Sequence, residues 1–453
     1  MKHAGLSKLI AGAAIGFIGV ANASTLPASA STVLTVAYPS VCAFDSGPLA
    51  TEWWNQVKTE FTDEYPNVTV QYIPIPGSYQ DFVNTLSSLY RSSSTAPDVA
   101  EMPSADLGVW SSSGYLLSMT TYLKTSSWFH DFPKVIQGEG EFDGNIYAVS
   151  AGENDSGLVY NKALFKEAGI PVPWKPATWQ DVITAAARIK RTVPSVTPLW
   201  LNAGTGSGTS GLLQGINDFI VGSTTPTIQT KSGQLVINSP GIRAALGFYH
   251  QVYEDGLGAR RSALFSPIAV TSPLSLFRDG RLAIAVAPNS YGNSWTKYIS
   301  APYWPRAGKT IGVARLPNES GAGYASTLSG WDLAISSQTS IPQTAYDFIN
   351  VAQGSTNMID AANWAGWVPP VQTDWGLSRY ANFAPPFNVD FAKILPYSTE
   401  TPTSADYPIW AQGMGEATGD FVVNPRTTVD QALRTFESYM THQLGPSAVA
   451  TLS

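Results

Sequence analysis

Apolar and polar positions in the first hundred residues follow two different periods. Short apolar runs bounded by polar residues predict buried strands, and apolar residues that recur every three or four positions predict helices. The predicted order is strand, helix, strand, helix, strand, at 33–37, 51–65, 68–73, 79–91 and 97–101. Strands that alternate with helices in this way are typical of a parallel sheet in an α/β protein.

The same alternation continues through the rest of the chain. Further strands are predicted at 146–149, 158–160, 282–287 and 331–335, and further helices at 161–168, 179–191, 241–253, 273–278 and 344–351. Thr178 is placed to cap the helix at 179–191, and residues 288–295 are predicted to form a loop. A length of 453 residues indicates two or more domains.

The first 30 residues have the pattern of a secretory signal peptide. Basic residues within 2–8 precede an apolar run over 9–20, and small residues follow it. The run is too short to cross a hydrocarbon core of about 30 Å. We expect cleavage after Ala23, with Ala30 as the alternative, and a protein exported to the periplasm or the outside of the cell.

Charge is sparse along the chain. Charged residues make up 13% of the sequence, about half the usual ~25%, and the formal net charge is −7. Without a basic patch, nucleic-acid binding is excluded. Few ionisable groups also limit charge repulsion in acid, so we expect a protein that stays folded at acidic pH. The one cysteine, Cys42, cannot form an internal disulfide and lies too far beyond the apolar run to carry a lipid anchor.

Ordered motifs along the chain carry a resemblance to a known family. They lie at 61–70 (FTDEYPNVTV), 96–99 (APDV), 114–117 (GYLL), 159–170 (VYNKALFKEAGI), 176–179 (PATW), 277–283 (FRDGRLA), 330–336 (GWDLAIS) and 366–371 (GWVPPV). Together they resemble family 1 extracellular solute-binding proteins of ABC importers, the group that includes maltose-binding protein. The segment 159–170 is the most specific of them.

This resemblance implies a fold of two α/β lobes joined by crossing segments. Such a type II-like periplasmic-binding-protein fold has discontinuous lobes, a hinge and a ligand cleft between the lobes. We expect the chain to cross near 148–153, 277–282 and 329–332. The first lobe would then comprise 31–148 plus 282–329, and the second lobe 149–281 plus 330–453.

The resemblance also implies a monomeric protein that captures a carbohydrate and delivers it to the permease subunits of an ABC importer, without a cofactor or a metal. Sugars offer apolar faces and many hydroxyls, so a sugar site combines aromatic rings with Asp, Asn and Glu side chains. Residues of these types near predicted strand ends and crossings form the candidate ligand-binding set: Asp45, Tyr79, Trp110, Glu153, Asn154, Asp155, Trp200, Asn289, Tyr291, Trp331, Asp332, Trp364 and Trp367. For any single Trp, a place in the core is the more common alternative.

Two other functions remain open at this point. A secreted glycoside hydrolase needs two carboxylates about 5–10 Å apart, and Glu153 with Asp332 could supply such a pair. However, no hydrolase or metal-binding motif appears in the sequence, so we expect a binding protein rather than an enzyme. The second alternative keeps the fold but binds a glycerophosphodiester or another polar solute, which would call for Arg side chains or helix N-termini.

Overall fold

Two mixed sheets and the helices that cover them form the two lobes of the protein. The structure is a computed structural model that describes residues 32–40, 48–206, 208–266, 268–297 and 303–453. The predicted signal peptide, with its two alternative cleavage sites, and the candidate residue Asp45 lie outside the described residues.

The strands in these ranges are short, and most belong to the two larger sheets. They are β1 (Thr32–Pro39), β2 (Val68–Ile75), β3 (Val99–Pro103), β4 (Glu141–Phe142), β5 (Asn145–Ile146), β6 (Ala148–Asn154), β7 (Ser156–Asn161), β8 (Thr197–Trp200), β9 (Leu235–Asn238), β10 (Leu282–Pro288), β11 (Ile311–Ala314), β12 (Ser326–Ile335), β13 (Ser398–Glu400) and β14 (Val449–Thr451).

Helices of four to seventeen residues connect the strands. They are α1 (Pro48–Glu64), α2 (Tyr79–Leu89), α3 (Leu107–Ser112), α4 (Thr120–Leu123), α5 (Ser127–His130), α6 (Lys134–Glu139), α7 (Lys162–Glu167), α8 (Trp179–Thr192), α9 (Gly208–Leu213), α10 (Ile216–Val221), α11 (Pro240–Glu254), α12 (Arg261–Leu264), α13 (Ser272–Arg278), α14 (Ser290–Ser294), α15 (Ala307–Thr310), α16 (Pro342–Ala352), α17 (Ser355–Ala365), α18 (Ser378–Ala381), α19 (Phe387–Ala392), α20 (Tyr407–Val423) and α21 (Val429–Leu444). Three 3-10 helices lie at Ser104–Asp106, Gln372–Gly376 and Leu395–Tyr397.

The first sheet has the strand order β13-β12-β3-β1-β2, and β6 pairs with β12 beside this path. β1 runs parallel to both β2 and β3, as expected for strands linked by the helices α1 and α2. β12 is antiparallel to β3 and to β6. Helices α16 and α17 pack against α1, so the stretch that follows β12 belongs to this lobe.

The second sheet has the order β11-β7-β10-β8. All seven positions of β10 are buried, as the continuous apolar run at 282–287 predicts for a central strand. Thr178 caps α8 through a complete capping box with Asp181, which confirms the predicted start of that helix. Residues 288–295, predicted as a loop, instead contain the short helix α14.

Strand pairing contradicts the predicted lobe boundaries. Residues 282–329 were assigned to the first lobe, but β10 pairs with β7 and β8 of the second sheet. Residues 330–453 were assigned to the second lobe, but β12 pairs with β3 of the first sheet. An apolar strand that is buried on both faces suits the centre of either sheet. Its sequence pattern therefore does not predict which of the two sheets it joins.

The chain crosses between the lobes at three places. β6 leads into β7 near 154–156, and β12 passes from β13 to β3 and β6, so the expected crossings near 148–153 and 329–332 match these positions closely. The crossing expected at 277–282 is wrong, because α13 and β10 pack together within the second lobe. The third connection instead follows α17, where the backbones of Val368 and Glu153 exchange two hydrogen bonds.

Glycines allow the segments at the crossing to approach closely. A Cβ atom on Gly152 would lie 2.4 Å from Cε3 of Trp367, and one on Gly330 would lie 2.6 Å from the carbonyl oxygen of Gly152. Contacts this short force a side chain or the backbone to move. The packing of β6 against β12 and the Trp367 ring therefore requires glycine, which has no side chain, at positions 152 and 330.

We predict that Gly152→Ala destabilises the protein by about 1–3 kcal/mol, because the added methyl group overpacks the Trp367 ring. Gly247→Ala is the matched control, since no atom lies within 4 Å of a Cβ built on Gly247 in the middle of α11. In a helix interior this change should stabilise by about 0.5–1 kcal/mol. Guanidinium unfolding of both variants measures the difference, and equal stability changes of the two would contradict the packing described here.

Candidate functional site

Four chain segments meet where the lobes join. They are the end of β6 with the link to β7 (152–156), the middle of β12 (329–332), the start of α14 with the residue before it (289–293), and the turn that ends α17 (364–368). We call this region the lobe junction. Three of these segments contain residues predicted for the site from expected crossings or strand ends, and the fourth contains the predicted pair Trp364 and Trp367.

Asn289 ties the second lobe to the crossing strand. Its Nδ2 donates to the carbonyl oxygen of Glu153 at 2.7 Å, and its backbone N–H donates to the carbonyl oxygen of Asp155 at 3.1 Å. Its Oδ1 accepts the backbone N–H of Ser290 at 3.0 Å and so caps α14. Asn289 thus holds the carboxyl end of β10 against the β6–β7 link.

Indole rings form one side of the lobe junction. The rings of Trp364 and Trp367 meet edge to face with centroids 6.1 Å apart, and Trp364 is stacked parallel to Trp53 at 6.2 Å. On the first lobe, Trp331 packs against the rings of Phe82 and Tyr79. The first-lobe side of the lobe junction, where Trp331 lies, is therefore formed by β12 and α2.

Tyr79 and Asp106 form a polar contact beside Trp331. The hydroxyl of Tyr79 donates to Oδ2 of Asp106 at 2.5 Å. Burial raises the pKa of Asp106 to about 6, and the hydrogen bond from Tyr79 opposes that rise. Tyr79 is half-buried and is therefore more exposed than Asp106 or Trp331.

Several buried polar atoms at the lobe junction have no hydrogen-bond partner within the described chain. They are Nε1 of Trp364 and Trp367, Oγ of Ser290, Oδ1 of Asn293, and both carboxyl oxygens of Glu153, Asp155 and Asp332. Buried polar atoms are rarely left unpaired in native proteins. Their concentration at one place marks the lobe junction as the candidate ligand site.

The carboxyl groups at the lobe junction resist ionisation. Burial is the largest cause of the raised pKa of Glu153, followed by the nearby charge of Glu139 and then that of Asp332. The pKa of Asp155 is also well above its usual value, because of burial and then of Asp218. Each of these side chains is more than 97% buried.

Three of the predicted site residues are in the protein core instead. Nε1 of Trp110 donates to Oγ of Ser87 at 2.8 Å, and Nε1 of Trp200 donates to Oδ1 of Asn202 at 3.0 Å. The hydroxyl of Tyr291 donates to the carbonyl oxygen of Val270. All three side chains are buried with their donors already used, so each one follows the core alternative. Asn154 is half-buried and lies opposite Ser329 in the ladder.

Sequence reasoning missed Asn293 of the lobe junction and two buried acids that influence its carboxyls, Glu139 and Asp218. Asn293 donates from Nδ2 to the carbonyl oxygens of Asn363 and Trp364, and it follows the same strand that pointed to Asn289. Glu139 at the end of α6 and Asp218 in α10 are fully buried. Nothing in their local sequence signals burial, because neither follows a predicted strand or lies at an expected crossing.

A groove of about 310 Å³ lies beside α14 on the second lobe. The aromatic residues that line it are Trp295, Tyr303, Trp304, Phe383 and Phe387, and Asn382 and Lys297 add an amide and an ammonium group. Gly292 of α14 lines this groove, while its neighbours Ser290 and Asn293 contact the turn at Gly366. The groove is therefore separated from the lobe junction by the width of one short helix.

The described residues contain no group of His, Cys, Asp and Glu side chains arranged to hold a metal ion. Within the same ranges, the helices are too short or too polar to cross a bilayer.

Comparison with known sequences identifies relatives. The sequence profile of a family described as bacterial extracellular solute-binding protein matches residues 47–359. A "Probable ABC transporter-binding protein" of Deinococcus radiodurans is 26% identical over 250 residues, which cover 53% of this chain and 55% of that protein. The sn-glycerol-3-phosphate-binding periplasmic protein UgpB of Rhizobium meliloti is 22% identical over 62% of this chain and 64% of its own length. A multiple sugar-binding protein of Streptococcus mutans is 27% identical over 29% of each chain. The matches thus span less than two thirds of these relatives.

Solved structures share the fold. Maltose-bound MalE3 of T. maritima superposes with a TM-score of 0.72 at 20% identity and covers 91% of this chain and all of its own. The sugar-binding protein MalE of Xanthomonas citri gives 0.73 at 21% identity, covering 89% and 95% of the two chains. Both are two-lobed binding proteins, as predicted from the sequence motifs. With the family profile matching more than two thirds of its length, the chain belongs to the family of bacterial extracellular solute-binding proteins.

Proposed function

We propose that the protein captures an uncharged carbohydrate at the lobe junction and presents it to the permease of an ABC importer. The observation that carries this proposal is the meeting of paired indole rings with buried polar atoms whose hydrogen-bonding capacity the protein leaves unused. Aromatic faces suit the CH surfaces of a sugar, and unused donors and acceptors suit its hydroxyls. Trp364, Trp367, Asp155 and Asn293 are the side chains that we assign to ligand contact, and Asn289 holds the link that carries Asp155.

The charge of the lobe junction favours an uncharged ligand over a phosphodiester. The four segments that form it contain no Lys or Arg, and they contribute Glu153, Asp155 and Asp332. A phosphate group is held in proteins by Arg, Lys or the N-terminus of a helix. The relatives named for glycerol phosphate therefore support the shared fold more than a shared ligand.

Two further observations support a sugar. The aromatic groove beside α14 offers ring surfaces next to the lobe junction, where a longer saccharide could extend. Relatives and structural neighbours include a multiple sugar-binding protein and a maltose complex.

The positions of Glu153 and Asp332 favour a binding protein over a glycosidase. Glu153 and Asp332 lie in adjacent strands, and both side chains are completely buried. A glycosidase pair must reach opposite sides of an accessible bond. We therefore assign these two carboxyls to the crossing itself and not to hydrolysis.

Export and delivery complete the proposal. The signal-peptide pattern of the first 30 residues and the extracellular family indicate work in the periplasm or outside the cell. Hinge closure of the two lobes around the ligand would create the form that a permease recognises. We propose that the protein acts as a monomer.

We predict that sugars stabilise the purified protein and phosphodiesters do not. A ligand that binds only the folded state at 100 times its Kd adds about 2.7 kcal/mol to the free energy of unfolding. The measurement is a thermal-shift screen of mono- to tetrasaccharides beside glycerol 3-phosphate, a glycerophosphodiester and a polyamine. Chromatography of the bound sugar afterwards should recover it intact. No shift with any saccharide, together with a shift from a phosphodiester or an amine, would refute the carbohydrate assignment.

We predict that Trp367→Phe weakens sugar binding about tenfold, because it removes the indole N–H and part of the ring surface offered to the ligand. Trp200→Phe is the matched control, since it makes the same change at an equally buried indole whose N–H already bonds Asn202. Titration calorimetry at a temperature where both variants are folded gives the two affinities. If the control loses as much affinity as Trp367→Phe, the assigned site is misplaced.

A further inference from the structure

Five carboxyl groups are buried around the crossing strands, where Glu139, Glu153 and Asp332 influence one another and Asp218 influences Asp155. Glu139 ends α6, Glu153 lies in β6, Asp155 lies in the link to β7, Asp218 lies in α10, and Asp332 lies in β12. Each of the five side chains is at most 2% exposed. We call this set the carboxyl cluster; it joins both lobes and both crossing strands.

The cluster receives little hydrogen bonding from the protein. Both carboxyl oxygens of Glu139, Glu153, Asp155 and Asp332 are without a partner among the described residues. Asp218 accepts one bond, from the backbone N–H of Thr327 at 2.7 Å, and its other oxygen has none.

A nearby hydroxyl does not change this picture for Glu139. Ser104 lies close enough to lower the pKa of Glu139 slightly. Its Oγ is already engaged with the backbone of Gly330, however, accepting from the N–H at 2.9 Å and donating to the carbonyl oxygen at 3.3 Å.

Among the described residues, no ion pair to the cluster is found. The five ion pairs found between described residues all involve other side chains. On α6, Lys134 bonds Oε1 of Gln137, and on α17, Asp360 pairs with Arg379. The strands β6, β7 and β12 and the helices α10 and α14 carry no basic residue.

Among the described residues, the ionisable groups shown to interact with the cluster are acids or phenols. Glu400 of β13 contacts α6, and burial together with Glu139 and Glu141 raises its pKa to about 7. Tyr380 lies near Asp155, and burial raises the pKa of its phenol, so that it stays neutral. In α16, which packs on β12, the one charged residue is Asp347. Tyr249 and Tyr407, near Asp218, are neutral for the same reason as Tyr380.

Burying several uncompensated charges of one sign costs free energy. These carboxyl groups are therefore protonated and uncharged in the folded protein. Two carboxyls at short range share protons, because ionising the second is opposed by the first. Glu139 and Glu153 are such neighbours: burial raises the pKa of both, the charge of Glu139 raises that of Glu153 further, and a hydrogen bond through the proton they share opposes the rise at Glu139. Metal binding does not offer another explanation within the described residues.

We propose that the carboxyl cluster is a proton-holding hinge, which keeps the two lobes packed at their crossing in acid and loosens that packing as the pH rises towards neutrality. The protein is thereby built to work in an acidic medium. This inference does not depend on the ligand, and its test uses none.

The direction of the pH dependence follows from proton linkage. Below about pH 3, the carboxyls are protonated in both the folded and the unfolded chain. As the pH rises, the unfolded chain ionises first, while the folded protein retains its protons up to the raised pKa values. Stability is therefore complete in acid and falls across this interval, and Asp218, whose pKa is raised to about 7, extends the interval to neutrality. For each proton that the folded protein retains and the unfolded chain has lost, the unfolding equilibrium constant rises up to tenfold per unit of increasing pH.

We predict that the unfolding equilibrium constant of the full chain rises at least tenfold between pH 5 and pH 7, measured by guanidinium unfolding. Glu153→Gln combined with Asp332→Asn should make this dependence shallower and leave the protein more stable than wild type at pH 7. The reason is that both amides keep the shape of the protonated acid but cannot ionise. The control is Asp63→Asn combined with Glu167→Gln, which makes the same chemical changes at two exposed positions and should keep the wild-type slope.

A constant or increasing wild-type stability from pH 5 to 7 would overturn the proposal, and so would equal slopes in the cluster variant and the control. Infrared spectroscopy provides a second readout that does not need a folded variant. Folded wild-type protein at pH 6 should show the carbonyl stretch of protonated carboxylic acids, which free surface carboxyls do not show at that pH. If that band is missing, the cluster is ionised and the hinge holds no protons.

Discussion

The antiparallel pairing of β6 with β12 is the constraint on which the rest of the structure depends. β12 pairs with β13 at one end and with β3 and β6 at the other, so a single ten-residue strand fixes how the two lobes meet. The backbone N–H and C=O groups of these strands form hydrogen bonds with one another. The strands can therefore cross through a buried region. The side chains at the crossing are consequently the ones placed between the lobes.

This geometry explains why small and aromatic residues alternate at the lobe junction. Gly152 and Gly330 let the two strands and the Trp367 ring come together without overlap. The turn after α17 then closes the region, since Val368 adds backbone hydrogen bonds to Glu153. Ring surfaces and unused polar atoms end up on a rigid frame, which suits a binding site that must hold a defined ligand shape.

The carboxyl cluster is the structural feature that we relate to the low content of charged residues in the sequence. A protein with few basic residues has few partners for buried acids, so acids placed at the crossing stay protonated instead of forming ion pairs. The expectation of stability in acid came from composition alone, while the cluster supplies a specific mechanism and a specific pH range. Binding and proton retention would then use neighbouring groups of one junction, with Trp367 and Asn293 assigned to the ligand and Glu153 and Asp332 to the hinge.

The sequence by itself determined the α/β class, the individual strands and helices such as β1, β10 and α8, and the family. These depend on local periodicity, capping and motif order. It also placed Glu153, Asp155, Asn289 and Trp367 near crossings or strand ends. Only the tertiary structure decided which sheet receives β10, that Trp110 and Trp200 belong to the core, and that Glu139 and Asp218 are buried where they influence the carboxyls of the lobe junction. The physical reason is that strand pairing and burial are set by contacts between residues far apart in the chain, and an apolar run or a single carboxyl has the same local pattern in either lobe.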